Sequence, residues 1–186
     1  MISKDDELTA FMEALSPRAR LMGVDLGTKT IGLALSDVER RIATPLETLK
    51  RVKFTPDVQQ IKALTERYEV GGFVFGLPLN MDGSEGPRSQ ATRAFVRNLK
   101  PLLPLPVLFW DERMSTMVVT RTLLDADTSR AKRADAVDKM AAAYILQGAL
   151  DRYERILAAA EAAEDEAQYR SDSGLDAPPE SGALDD

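Results

Sequence analysis

Asp25 is a single carboxylate in an otherwise apolar segment, and it is the position where the sequence most clearly indicates chemistry. The mostly apolar residues Leu21–Val24 precede it and a Gly27–Thr30 turn follows it, a pattern that predicts a β-hairpin. Burying an ionised carboxylate costs several kcal/mol unless a cation or a metal ion compensates it. A turn-forming aspartate is the ordinary alternative, but Asp25 stands within the strand, before the glycine. The sequence therefore favours a metal-binding role for Asp25.

Two further carboxylates are candidates for the same site. Glu112 follows an apolar segment that begins at Pro106; by itself it fits the point where a strand meets solvent as well as it fits a functional site. Asp111 beside it is a weaker candidate. Asp138 lies in the first turns of a predicted helix, where the helix dipole stabilises acids. It also lies on the helical stripe that includes Ile145 and should face a sheet, so its carboxylate is predicted to point toward the active edge of that sheet.

Cysteine and histidine are both absent from the 186 residues. Their absence excludes disulfides, thiolate catalysis and nucleophiles activated by histidine. Carboxylates, lysines and hydroxyls remain as the available chemistry. A metal ion in this protein would be bound by oxygen, which favours Mg²⁺ or Mn²⁺ over zinc.

The order of predicted elements places these carboxylates together. Three strands are followed by a helix, a strand, a helix, a strand and two helices, the third strand being Ile42–Leu49 at a sheet edge and the last helix running from about Ala134 to Leu157. This order predicts an α/β fold with a mixed five-stranded sheet, built from a three-strand meander and βαβ crossovers, with helices on both faces. The first, fourth and fifth strands are parallel, so Asp25, the Gly76–Pro87 loop and Glu112 are expected around one crevice.

Two other features have both a purely structural and a functional interpretation. The loop in Gly76–Pro87 is either a simple Gly/Asn/Asp turn or a set of backbone amides that binds a phosphate together with Arg88. The basic stripe on the helix that follows is a solvated helix face or, less favourably, a nucleic-acid contact; it consists of Arg93, Arg97 and Lys100.

Length and charge suggest one folded domain with flanking segments. We predict an N-terminal helical extension at residues 1–20, a folded domain at 21–158 and an acidic, largely disordered tail at 159–186. Residues 151–186 carry 11 acidic and 3 basic side chains, whereas residues 1–150 carry 21 basic and 19 acidic ones. The near-neutral domain is therefore compatible with phosphate binding despite the overall charge of −6. No secretory or membrane segment is evident, which predicts a cytoplasmic protein without a membrane partner.

Four motifs resemble those of the YqgF/RuvX family: MGVDLGTKTIGLALSD, GLPLNMDGSEGPR, DERMST and DKMAAAYILQ. The resemblance implies an RNase H-like fold related to Holliday-junction resolvases, Mg²⁺ or Mn²⁺ as cofactor, and a nuclease that matures the 5′ end of precursor 16S ribosomal RNA. The acidic positions of the family fall on Asp25, Glu112 and Asp138. Two cations bridged by carboxylates hydrolyse phosphodiesters without histidine. Candidate phosphate-binding residues are Lys29, Arg88 and Arg113.

The resemblance leaves alternatives open. True resolvases have a glutamate at the end of the fourth strand, where this chain reads GFVFGLP, so the second carboxylate must come from Glu112 or from Asp82. The substrate is structured RNA or branched DNA, and the state is a monomer or a weak dimer. A non-catalytic RNA-binding assembly factor would use the same crevice. An ATP-binding module of the actin and sugar-kinase superfamily shares the Asp-x-Gly-Thr turn, but those proteins pair two such domains and this chain has one.

Overall fold

The computed structural model of the chain describes residues 3–111 and 130–172, and for 130–137 and 171–172 it describes the backbone alone. The elements in the described residues are α1 (Lys4–Glu13), β1 (Arg20–Leu26), β2 (Thr30–Ser36), β3 (Ala43–Lys50), α2 (Phe54–Arg67), β4 (Val70–Leu77), α3 (Pro87–Leu99), β5 (Val107–Asp111) and α4 (Arg130–Asp172).

The five strands form one mixed sheet in the order β3-β2-β1-β4-β5. β2 is antiparallel to both β1 and β3, whereas β1, β4 and β5 are parallel. The predicted meander followed by βαβ crossovers is therefore confirmed. Pro45 lies in β3 opposite Ala34, beside a register shift, and the edge position of β3 suits a residue that lacks an N–H donor.

The main apolar core lies between the sheet and helices α2 and α3. Alternate residues of the strands point to this face, and their largest members, Phe73 and Phe75, are fully buried. Ile61 of α2 and Leu99 of α3 complete the cluster. Packing of these apolar side chains fixes the sheet and therefore the direction in which its strands end.

The opposite face of the sheet carries small residues that admit α1 and α4 at close range. A Cβ atom at Gly23 would lie 2.6 Å from the carbonyl oxygen of Ala142 in α4. One at Gly72 would lie 2.7 Å from the Leu15 side chain, just after α1. At Gly23 the obstructing atom belongs to the backbone of α4, so a side chain there would push the helix away from the sheet. The helix that carries Asp138 therefore lies directly on the central strand.

The ends of two helices differ from what their local sequence indicates. The Thr55–Asp57 segment suggests a threonine cap, but α2 begins at Phe54 with Lys53 in the cap position. The carboxylate of Asp57 accepts the Val52 N–H at 3.1 Å instead, so an acid inside the first turn satisfies the backbone ahead of it. α4 continues past the predicted end at Leu157 to Asp172, because the Ala/Glu-rich residues there are strong helix formers.

The chain divides into two compact units, Met1–Tyr153 and Glu154–Asp186. The first contains the sheet, and the described part of the second is helical and mostly exposed. The predicted domain limits at residues 20 and 158 stay predictions. Within the described ranges, no helix has both the length and the apolar character needed to cross a membrane.

Candidate active site

The carboxyl ends of the three parallel strands meet at one edge of the sheet. β1 ends at Leu26, β4 at Leu77 and β5 at Asp111. The sequence predicts this arrangement, and the parallel pairing of β4 with β1 and β5 confirms it. Ligands of open α/β sheets bind at such an edge because the loops that leave it surround a common crevice.

Asp25 lies one residue before the end of β1 and is only 8% exposed. Its cross-strand partner in β2 is Gly32. Residues two apart on a strand share a face, so Asp25 points to the same side as Gly23, the side that α4 covers. The carboxylate is thus placed between the sheet and α4, at the edge where the parallel strands end.

Asp138 reaches the same place from α4. A Cβ atom at Gly32 would lie 2.0 Å from the backbone oxygen of Asp138, so the first described turns of α4 cross directly over the residue paired with Asp25. The Oδ2 atom of Asp138 accepts a 2.6 Å hydrogen bond from the Thr30 hydroxyl. The structure therefore brings together two of the three predicted acids.

Sequence reasoning missed Thr30 and Gly32. A threonine after a Gly-Thr-Lys turn and a glycine in a strand carry no signal that distinguishes them from ordinary hairpin residues. Their importance follows only from the position of α4, which is more than a hundred residues away in the chain: Thr30 and Asp138 are 108 positions apart.

The turn between β1 and β2 is fixed by backbone hydrogen bonds. The Gly27 N–H donates to the Thr30 carbonyl oxygen at 2.9 Å. Lys29, predicted to bind phosphate, is exposed in this turn. Its carbonyl oxygen accepts the Arg51 N–H at 2.9 Å, and the Arg51 guanidinium donates to the Gly27 carbonyl oxygen at 2.8 Å.

The loop between β4 and α3 has its own internal network. The carboxylate of Asp82 accepts from both the N–H and the hydroxyl of Ser84, at 2.9 and 2.6 Å. Gly83 has a φ of 85°, a left-handed conformation that favours glycine. Asp82, the alternative second carboxylate, is thus engaged in shaping the loop. Arg88 is exposed in the first turn of α3.

Glu112 and Arg113 lie outside the described residues. Asp111, the residue before them, is 6% exposed, and the Lys4 ammonium of α1 contacts its Oδ2 at 3.1 Å. This weaker metal candidate therefore has a cation from α1 beside it.

The donor atoms suit a hard divalent cation. Asp25 and Asp138 supply carboxylate oxygens, which are the ligands that Mg²⁺ and Mn²⁺ prefer. Across residues 3–111 and the described part of α4, no group of three acidic side chains is arranged to hold a metal ion. Asp25 and Asp138, which approach Gly32 from β1 and from α4, therefore form the described part of a candidate metal site with oxygen ligands only.

The sequence model of the RuvX family, described as Holliday junction resolvase, matches residues 19–152. The chain belongs to the RuvX family. A Methylocella silvestris protein named "Putative pre-16S rRNA nuclease" is 66% identical over 142 residues, which cover 76% of this chain and 88% of the relative. A Beijerinckia indica protein of the same name is 62% identical over 152 residues, which cover 82% of this chain and 92% of the relative.

Among solved structures, T. thermophilus RuvC in complex with a Holliday junction substrate resembles the chain with a TM-score of 0.49 and 12% sequence identity, over 74% of this chain and 96% of that chain. Family membership and the strand topology of the sheet together confirm the predicted RNase H-like fold. Holliday junction resolvases are nucleases, so the predicted class of enzyme agrees with the family.

α1 precedes the residues that match the RuvX family and is fastened to them by ion pairs. Asp5 receives two hydrogen bonds from the Arg152 guanidinium, at 2.9 and 2.5 Å. This pairing lowers the pKa of the Asp5 carboxyl below its ordinary value of 3.8. Together with the Lys4–Asp111 contact, it holds the start of α1 against β5 and α4.

A cavity of about 190 Å³ lies between α1, β5 and the loop after β4. Each of its three basic side chains has an acidic partner: Lys4 contacts Asp111, Arg152 contacts Asp5, and Arg93 contacts Glu85 at 2.6 Å. Each cationic group that lines the cavity therefore takes part in an ion pair.

Proposed function

We propose that this RuvX-family chain is a metal-dependent phosphodiester hydrolase that processes the 5′ end of precursor 16S ribosomal RNA in the cytoplasm. The observation that supports the proposal is the crossing of α4 over Gly32: the backbone of Asp138 lies over the strand residue that is paired with the buried Asp25. The names of the relatives support the substrate.

Asp25, Glu112 and Asp138 are the proposed ligands of Mg²⁺ or Mn²⁺. Thr30 supports the set by donating a hydrogen bond to Asp138. Glu112 is included because it follows the carboxyl end of β5, the third parallel strand at this edge. When bound, the cations would activate water and stabilise the leaving oxygen of the phosphodiester.

Three basic residues are proposed to bind the backbone phosphates of the substrate. Lys29 is exposed in the β1–β2 turn and Arg88 is exposed at the start of α3. Both elements leave or adjoin the edge that carries the acids. Arg113 completes the proposal from the sequence alone. Contacts of this kind position a nucleic acid and make its affinity depend on salt.

A four-way DNA junction is the second candidate substrate, since the family is described as Holliday junction resolvase. The same acids would serve either substrate, because phosphodiester hydrolysis requires the same charge stabilisation in RNA and DNA. Only a direct comparison of the two substrates separates these functions.

The experiment measures cleavage of a precursor 16S RNA with a 5′ extension and of a four-way DNA junction, each with Mg²⁺ or Mn²⁺. Asp25→Asn and Asp138→Asn are expected to lower cleavage by at least about 100-fold while RNA binding is retained, since even changes next to metal ligands cost about 10–100-fold. Asp151→Asn is the matched control because Asp151 lies on the same helix and is exposed.

The outcomes distinguish the functions clearly. Cleavage of the RNA but not of the junction supports the proposal, and the reverse result supports a resolvase. A wild-type protein that binds RNA but cuts neither substrate with either metal would make it a binding factor and overturn the proposed activity. Equal loss in Asp151→Asn would show that the effect is not specific to the site.

A further inference from the structure

Asp57 is a buried carboxylate that the proposed catalytic set does not use. It is 1% exposed and lies in the first turn of α2. Its Oδ1 accepts the Val52 N–H at 3.1 Å, and its Oδ2 has no hydrogen-bond partner in the described residues. The cation that faces Oδ2 is Arg51, with Nε at 3.9 Å. A charge buried to this extent requires such compensation.

Arg51 is the residue through which Asp57 reaches the candidate active site. Its guanidinium donates to the Gly27 carbonyl oxygen at 2.8 Å, and its backbone N–H donates to the Lys29 carbonyl oxygen at 2.9 Å. Arg51 therefore holds the β1–β2 turn at two carbonyl groups. The planar, branched guanidinium can face Asp57 with one nitrogen while another donates to the turn, which a lysine ammonium at the end of a flexible stem does less well.

The β1–β2 turn sets the position of Thr30. The Gly27 N–H donates to the Thr30 carbonyl oxygen at 2.9 Å, and the Thr30 hydroxyl donates to Asp138 at 2.6 Å. A continuous set of contacts thus runs from Asp57 through Arg51 and the turn to the carboxylate of Asp138. Groups held in this way need no reorganisation when the substrate binds.

We propose that Arg51, held by the buried Asp57, is a positioning residue that fixes the β1–β2 turn and through Thr30 the carboxylate of Asp138. The inference rests on the proposed function, in which Asp138 is a metal ligand. Arg51 itself touches neither the substrate nor the cation in this proposal. It acts by restricting the turn to one conformation.

The first test measures the local stability of the β1–β2 turn and needs no cleavage assay. Amide hydrogen exchange is followed at Gly27 in the wild type, Arg51→Ala and Arg51→Lys. In the wild type, opening of the turn must break the hydrogen bond from the Arg51 guanidinium to Gly27. Without the guanidinium, opening costs less free energy, and exchange at the Gly27 amide is expected to be at least about 10-fold faster. Arg51→Lys is expected to fall between the two. Arg41→Ala is the matched control, since Arg41 is an exposed arginine beside Glu39 near the opposite end of β2.

The second test measures coupling to Asp138 through steady-state kinetics on the RNA substrate. Arg51→Ala is expected to lower kcat about 10–100-fold with KM within about 2-fold, as for removal of a group that supports a metal ligand. Thr30→Val is expected to have a similar effect. The kcat of the double variant Arg51→Ala/Thr30→Val is expected to be little lower than that of either single variant, because both changes interrupt the same set of contacts.

Arg51→Ala leaves Asp57 without its cation, which can prevent folding. Arg51→Ala combined with Asp57→Asn removes both charges, and circular dichroism establishes whether each variant is folded. The combined variant is expected to show the same accelerated exchange at Gly27 as Arg51→Ala.

Several results would overturn the proposal. Unchanged exchange at Gly27 in folded variants would show that Arg51 does not hold the turn. A rise in KM with kcat intact would make Arg51 a phosphate-binding residue instead. If the losses of kcat from Arg51→Ala and Thr30→Val were strictly additive in free energy, Arg51 would not act through Thr30. If the wild type cleaves nothing, the proposed function fails, and the exchange at Gly27 still decides whether Arg51 fixes the turn.

Discussion

Gly32→Ala should disable the enzyme by moving a helix rather than by removing a functional group. The added methyl would lie 2.0 Å from the backbone oxygen of Asp138, 2.4 Å from its carbonyl carbon and 3.1 Å from the Lys139 nitrogen. The first two separations are shorter than any real contact of a Cβ atom. Because the obstructing atoms belong to a helix backbone and not to a flexible side chain, α4 itself must retreat from the sheet.

The size of the effect follows from the distances. Restoring ordinary van der Waals contact requires a shift of at least about 1 Å, and misplacement of a reacting group by about 1 Å costs on the order of 100-fold in rate. Overpacking of this kind destabilises a protein by about 1–3 kcal/mol. A chain of this length should then melt about 2–12 °C lower, since each kcal/mol shifts the midpoint by about 2–4 °C. The variant therefore stays folded while its activity is largely lost.

Three measurements check this reasoning: RNA cleavage under single-turnover conditions, Mn²⁺ affinity, and the melting temperature by circular dichroism. Gly148→Ala provides the control. Gly148 lies in α4, ten positions after Asp138, and a Cβ atom there would lie 2.9 Å from the Nε1 atom of the Trp110 side chain. It is expected to affect stability with cleavage within about 3-fold of the wild type.

Full cleavage activity in a Gly32→Ala variant with a lowered melting temperature would refute the inference that the distance between Asp138 and β2 governs catalysis. An unchanged melting temperature together with unchanged activity would refute the close contact itself. Equal loss of activity in Gly148→Ala would attribute the effect to general strain in α4.

Three further predictions concern other parts of the chain. Thr30→Val should weaken Mn²⁺ binding by about 10-fold, because Asp138 loses its hydrogen-bond donor; unchanged affinity in a titration would contradict this. The pair of Asp5 with Arg152 lowers the pKa of Asp5, so its stabilisation is present above the unfolded value of 3.8 and is lost as the pH falls through the lowered folded value. The wild type should melt above Asp5→Asn at neutral pH, and this difference should shrink as the pH falls below 3.8; a difference that does not change with pH would argue against the pair. Deletion of residues 171–186, which removes five acidic and no basic side chains, should leave folding intact and tighten RNA binding at low salt in a filter-binding assay, whereas equal affinity would show that the charge of this segment does not act on the RNA.

The sequence was sufficient for the sheet and for the acid near the end of its central strand. The apolar residues before Asp25 and the turn after it predicted the hairpin, and the order of elements predicted the mixed five-stranded sheet. Once the order of elements was fixed, the handedness of βαβ crossovers left few ways to arrange the strands. The helical stripe that Asp138 shares with Ile145 predicted that this acid faces the sheet, and the backbone of Asp138 lies over Gly32 in the structure.

The missed features depend on contacts between distant segments. Thr55 resembles a helix cap, but the buried carboxylate of Asp57 turns back to Val52 and Arg51, which no local propensity shows. Gly32 looks like an ordinary small strand residue, although the backbone of Asp138 passes directly over it. Such roles require knowledge of which helix lies on which strand, and sequence periodicity does not contain that information.

The ion pairs that fasten α1 can form only late in the synthesis of the chain. Lys4 and Asp5 find their partners 107 and 147 positions later, at Asp111 and Arg152. At about 5–20 residues per second, Arg152 is made roughly 7–30 s after Asp5. A single ten-residue helix is only marginally stable in water over that interval. α1 therefore reaches its final place only after β5 and α4 have been made, and a nascent chain interrupted before α4 would expose the glycine-lined face of its sheet.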